Sequence, residues 1–301
     1  MGKFKRKKAT KPQKKEKQVE AIDRFTDIIY KYLRPLEWMK FQEEKLLYNE
    51  RTLKQVDELT QFLEPKNFKK IEARALIKRP NLPFIVLLHG PSGTGKTALV
   101  REICRRTKRH MLEVKVELLR NSDVGKDEKV ITELFEEYAE SFERSKDYPV
   151  MFFDECEAHL CKRMNTDSHN PALVNSFNNI VTVWLKEFQD FHGILFLATN
   201  RKDDIDDAFA RRILYQIEVE HPDKETQAEI WKTLFPLVLT NEQCKQLAEE
   251  TDFSGGQIKQ VQTKAEIHEL LHGKLTFETI RSICETNGKT TTERKKIGFS
   301  L

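Results

Sequence analysis

A chain of 301 residues, 39% hydrophobic and 33% charged, is long enough for one large core and a smaller satellite unit. Its formal charge of +4 is unevenly spread, and no apolar run approaches the roughly 20 residues that a spanning helix needs. The polybasic N-terminus lacks a signal peptide's apolar stretch, so a soluble cytoplasmic protein is expected rather than a membrane-spanning or secreted one.

Residues 1–17 hold nine Lys or Arg against Glu16, a charge of +8 that leaves the remainder at −4. A segment this basic and this poor in apolar groups is expected to be a disordered tail, either simply solvated or in contact with nucleic acid. Residues 18–75 read as a helical N-terminal segment. Val19, Ile22, Phe25, Ile28, Ile29, Tyr32, Leu33 and Leu36, then Leu53, Val56, Leu59 and Phe62, recur at helical spacing, with a kink expected near Pro35. Its apolar face suits packing on the core or a partner, and the spacing leaves both open.

Residues 76–220 alternate strands and helices. Phe84 to Leu88 is an apolar strand that runs into Gly90-Pro91-Ser92-Gly93-Thr94-Gly95-Lys96-Thr97, with Ala98 next. Strand, glycine-rich loop and helix in that order make a phosphate-binding loop, so a nucleoside triphosphate is the expected ligand. The glycines let backbone N–H groups approach the β and γ phosphates, Lys96 adds a point charge, and the Thr97 hydroxyl suits Mg²⁺. Further strands are expected at Met111 to Val116, Val150 to Phe153, Ile194 to Ala198 and Ile213 to Val219, with helices around Val130 to Tyr138 and Phe177 to Phe188. Five strands interleaved with helices imply an α/β fold with a parallel five-stranded sheet covered on both faces.

The remaining candidates sit where those strands end. Asp154-Glu155 ends the strand Val150 to Phe153, placing one carboxylate near Mg²⁺ and a second where it polarises a water. Alone, such a pair could equally cap a helix, and the phosphate loop favours the chemical reading. Thr199-Asn200 ends the strand Ile194 to Ala198, and Asn200 suits orienting the water or sensing the γ-phosphate, or merely a turn. Arg211-Arg212 closes a short amphipathic stretch. Two guanidinium groups there either stabilise phosphoryl-transfer charge on a neighbouring subunit or make ordinary surface ion pairs, and spacing does not separate the two.

From His221 onward strands stop. Helical patterns in Lys224 to Phe235, Asn241 to Glu250 and Gly256 to Leu271 make residues 221–283 a small all-helical lid, and 284–301 a tail. The five cysteines form no C-x-x-C pair, which suits reduced thiols, and Cys156, His159 and Cys161 are expected to be helix residues rather than metal ligands.

The phosphate loop, Phe153-Asp154-Glu155, Thr199-Asn200-Arg201, Ala208-Phe209-Ala210-Arg211-Arg212 and Phe253-Ser254-Gly255-Gly256-Gln257-Ile258 together resemble a AAA+ ATPase of the AAA subclass, over roughly residues 60 to 272. The doubled arginine is similar to the katanin and spastin type. The resemblance implies a P-loop NTPase fold and a homo-oligomeric ring, usually a hexamer, with ATP at each subunit boundary. It also implies that Asp154 supports Mg²⁺, Glu155 activates water, Asn200 is a sensor, Arg211 and Arg212 reach the neighbour's γ-phosphate, and Gly256 starts a lid helix beside the nucleotide.

One position departs from the pattern. Threading relatives carry an aromatic before the Val-Gly pair of the pore loop, and here Asp123 precedes Val124-Gly125. An anionic side chain does not grip a polypeptide by apolar contact. The leading expectation is an ATP-driven remodeller of an unidentified protein client. The alternatives are a nucleic-acid-associated ATPase using residues 1–17, and an ATP-gated assembly scaffold.

Overall fold

The computed structural model describes residues 30–43, 45–76, 83–119, 126–145, 148–163 and 171–292. The segment 1–29, the pore-loop position Asp123 and the loop 164–170 lie outside those residues.

A six-stranded sheet runs in the order β1-β3-β4-β5-β2-β6. Its strands are β1 (Leu33–Leu36), β2 (Pro83–His89), β3 (Met111–Val114), β4 (Val150–Phe153), β5 (Gly193–Thr199) and β6 (Tyr215–Glu218). The five strands expected from the apolar runs all form, and they pair in parallel. Because side chains alternate across a strand, one run serves two cores. Ile85 and Leu87 of β2 join Leu195 and Leu197 of β5 on one face, while Phe84, Val86 and Leu88 join Ile194, Phe196 and Ala198 on the other.

Helices cover both faces. The first is closed by Ile131, Leu134 and Phe135 of α4 (Lys126–Ser145) and by Trp184 and Phe188 of α5 (Pro171–Asp190). The second is closed by α1 (Glu50–Leu63), α2 (Pro65–Leu76) and α3 (Lys96–Thr107), through Val56, Leu59, Phe68, Leu99 and Ile103. A separate core built on Trp231, Leu247, Ile258, Val261 and Ile280 holds the lid helices α7 (Lys224–Leu234), α8 (Asn241–Glu250), α9 (Gly255–His272) and α10 (Phe277–Thr292). The last of these runs past residue 283, where the lid was expected to end. The short α6 (Asp207–Ala210) lies between β5 and β6, capped by the Asp206 side chain.

Two expectations are corrected. The helix expected through Pro35 gives way to β1, a sixth strand paired antiparallel with β3, Leu33 opposite Val114 and Leu36 opposite Met111. Proline disfavours the helical conformation of the residue before it and donates no hydrogen bond, which an edge strand tolerates. Tyr32 N donates to Glu137 of α4 at 2.8 Å and Tyr32 Oη to Glu133 of the same helix at 2.6 Å, so α4 holds the start of the edge strand. After Glu155, the expected helix is a single 3₁₀ turn, Cys156–Ala158, and Cys161 instead forms an isolated bridge with Ile205.

Candidate nucleotide site

The site is built at the C-terminal ends of β2, β4 and β5, where parallel strands leave a crevice. Gly90 follows β2 with φ +144°, and a Cβ there would stand 2.2 Å from the Val219 carbonyl oxygen, so only glycine lets the chain turn against β6. Gly93 has φ +78°, and a Cβ on it would meet Ser254 Oγ at 2.6 Å. The loop then enters α3 at Gly95, and Lys96, Thr97 and Ala98 form the first turn. Pro91 and Ser92 are exposed at the tip, and the Thr94 hydroxyl closes the loop on the Pro91 carbonyl at 2.9 Å.

Lys96 is 7% exposed and points back into the loop. Its ammonium donates to the carbonyls of Gly90 at 2.8 Å and Pro91 at 2.9 Å, and to Asn200 Oδ1 at 2.6 Å. Burial pushes its pKa below the ordinary lysine value, while Asp154 and Glu157 favour the charged form. Thr97 Oγ1 donates to Asp154 Oδ2 at 2.6 Å, which brings a hydroxyl and a carboxylate from α3 and β4 to one point. Glu155 is exposed and left-handed, φ +51°, with its N–H on Asp154 Oδ1 at 3.0 Å. A non-glycine residue in that region is uncommon and turns the side chain away from the direction of β4.

Lys96–Asn200 and Thr97–Asp154 are therefore two bonded pairs made one set by the adjacency of Lys96 and Thr97 in α3, with Glu155 adjoining it by sequence and backbone bond. Gly256 N donates to the Gly93 carbonyl at 2.8 Å, seating the start of α9 on the phosphate loop. The arginine pair is not part of this set. Arg211 is exposed, and Arg212 turns back to the Ala208 carbonyl at 2.8 Å and toward Gln189 at 3.4 Å.

One contribution was not visible in the spacing. Tyr48 Oη donates to the Gly95 carbonyl at 3.0 Å. Next to it, Asn49 Nδ2 donates to Glu220 at 3.1 Å and to the His221 carbonyl at 3.2 Å, while its Oδ1 accepts from Asp223 N at 3.1 Å. This strap ties the loop to residues 220–223, the connection from β6 to α7. It falls in the break between the two apolar series, after Leu36 and before Leu53, where the spacing carries no signal.

Residues 86–221 match the family model described as ATPase family associated with various cellular activities (AAA). The chain is 28% identical to fidgetin-like protein 1 of Caenorhabditis elegans over 202 residues, 66% of this chain and 33% of that protein. It is 32% identical to a cell division cycle protein 48 homolog of Archaeoglobus fulgidus over 224 residues, 71% and 29% of the two. With the ribosome biogenesis ATPase RIX7 of Saccharomyces cerevisiae it shares 28% over 251 residues, 74% and 28%. The crystal structure of the FIGL-1 AAA domain in complex with ADP superposes with TM-score 0.61 over 88% of this chain and 90% of that one, at 22% identity, a likeness of fold. The chain matches about a third of the length of these curated relatives.

Proposed function

Residues 86–221 of this chain form an AAA ATPase domain, and from that premise we propose that the protein hydrolyses ATP with Mg²⁺ and uses the cycle to remodel a protein complex. The observation that carries the catalytic part is the convergence of the Lys96 ammonium and the Thr97–Asp154 pair at the mouth of the glycine loop. Two hard oxygen donors 2.6 Å apart, beside a loop shaped for phosphate, fit Mg²⁺ chemically. Thr97 would ligate the ion directly and Asp154 would support it, and the bound ion would offset charge on the phosphate oxygens.

This chain's own groups supply the rest. Backbone N–H groups of Gly93, Gly95 and Lys96 bind the phosphates. Lys96 exchanges a neutral carbonyl or amide acceptor for a phosphate oxygen, a stronger charge-assisted partner. Glu155, exposed and turned off the strand axis, takes the proton of the attacking water, and Asn200 orients that water or reads the γ-phosphate. Arg211, exposed at the end of α6, suits a second copy's γ-phosphate in a hexameric ring, the arrangement the likeness to the katanin and spastin type implies. Asp123 replaces an apolar grip, so remodelling here relies on contacts other than an aromatic pore residue.

An ATP trap tests the remodelling reading. Glu155→Gln protein held in ATP and passed through lysate is compared with Lys96→Ala. Proteins retained only by the trap, and released when ATP is removed, are the expected result. Salt-sensitive nucleic acid that disappears on deleting residues 1–17 would move the function to nucleic acid.

A further inference from the structure

His89 is the last residue of β2, directly before Gly90, and Lys202 stands two residues beyond Asn200. Lys202 Nζ lies 3.3 Å from His89 Nε2. An ammonium only donates, so the ring nitrogen accepts, and it has a lone pair to accept with only while the imidazole is neutral. His89 is 9% exposed, paired in register with Thr199 of β5 and Glu218 of β6.

The loop after β5 is shaped by bonds within itself. Arg201 N donates to Thr199 Oγ1 at 2.9 Å, Asp204 N to the Arg201 carbonyl at 3.1 Å, and Arg201 Nε to Asp204 Oδ2 at 2.9 Å. Among the described residues, two side-chain bonds tie this loop to the unit formed by β2, the phosphate loop and α3. One is Lys96 to Asn200, and the other is Lys202 to His89. The first uses the ammonium that serves the phosphates, so a phosphate oxygen on Lys96 competes with Asn200 for it. The second involves no phosphate-binding group.

We propose that Lys202 and His89 form a positioning pair that holds the Asn200 loop against the end of β2 when Lys96 engages phosphate, and that the pair works only with neutral His89. This rests on the ATPase reading given above. The charged groups facing the imidazole are Lys202 and Asp203 of the loop, Glu218 of β6 and Lys96 of α3. Burial, then Lys202, hold the His89 pKa below the ordinary histidine value, and Lys96 acts in the same sense while Glu218 and Asp203 oppose it. The ring is therefore neutral at pH 7 and above. Protonation at lower pH removes the acceptor and sets a cation against Lys202.

The test is the pH profile of ATP hydrolysis by the full chain from pH 5.5 to 8.5, with ATP binding measured separately by equilibrium dialysis. Lys202→Met keeps the aliphatic stem and removes the donor, and it should lower kcat about tenfold with KM within about twofold, because a displaced loop misorients Asn200. Lys202 is exposed, so this variant does not threaten folding. His89→Gln keeps an acceptor and does not titrate, so it should retain kcat at pH 8 and lose the fall on the acid side that the wild type shows. An acid limb unchanged in His89→Gln, or wild-type kcat in Lys202→Met, would overturn the pair. Failure of the wild type to bind or hydrolyse ATP at pH 8 would instead overturn the ATPase reading.

Discussion

Lys96 and Arg109 are both nearly buried cations, 7% and 2% exposed, held at opposite ends of the same sheet. Lys96 sits at the C-terminal ends of the strands and spends its donors on two loop carbonyls and one amide. Arg109 sits before β3, where its guanidinium donates to the Leu63 carbonyl at 2.9 Å and the Tyr148 carbonyl at 2.8 Å and stacks 4.9 Å above the Phe68 ring. The acceptors of Lys96 are neutral, and on the proposed reading a phosphate oxygen replaces one of them. Those of Arg109 are enclosed by aromatic packing and join the end of α1 to the floor of the sheet. On the proposed reading, a buried charge serves chemistry where its partners can be exchanged and serves the fold where they cannot.

The sharpest way to break this comparison is at Glu155 and Lys96. Glu155→Gln should keep ATP bound and lower kcat about a thousandfold, because only proton transfer from water is removed. Lys96→Ala should lose ATP binding, seen by equilibrium dialysis, with the thermal midpoint little changed. Arg211→Ala should bind ATP and hydrolyse it roughly a hundredfold more slowly, as loss of a charge-stabilising finger predicts. Mixing it with Lys96→Ala should restore part of the activity if the guanidinium acts on a second copy, and no rescue in verified mixed oligomers would place it outside the reaction.

At the other end the expected loss is in stability. Arg109→Met leaves two buried carbonyls without their donor and should lower unfolding free energy by about 3 kcal/mol in denaturant titration, while ATP affinity changes little. A normal midpoint with lost ATP binding would reverse the roles assigned to the two cations. The smallest effect is expected at Tyr48→Phe. The Gly95 carbonyl still accepts from Leu99 N at 2.9 Å, so losing the hydroxyl should cost about 0.5–1 kcal/mol by the same titration.

The layout of the glycine-loop end was legible because its signals are local: a continuous apolar run, glycines at fixed offsets and carboxylates closing a second run all lie within a few residues of the strand ends and turn they mark. β1 was not, because its pairing with β3 spans about eighty residues, and Ile28, Ile29, Tyr32, Leu33 and Leu36 fit a helical period as well as a strand. Proline at position 35 was the available warning. It marked a kink where it in fact marked an edge strand. The turn after Glu155 misled in the opposite sense, since Cys156, Leu160 and the residues around them look helical while Cys161 is drawn off by Ile205, a partner more than forty residues away. α10 was missed because Phe277, Ile280 and Cys284 are too sparse to stand out until α9 packs against them. Asn200 was singled out for its place at a strand end, yet its bond to Lys96 is a tertiary fact that no spacing contains.

The central claim is tested most directly by the fate of labelled ATP on two variants, separated from free nucleotide by gel filtration with Mg²⁺ present. Glu155→Gln should emerge carrying intact ATP, and Lys96→Ala should emerge bare. Equal retention by both proteins, or ADP and phosphate released by Glu155→Gln at the wild-type rate, would contradict the assignment of phosphate binding to Lys96 and of water activation to Glu155.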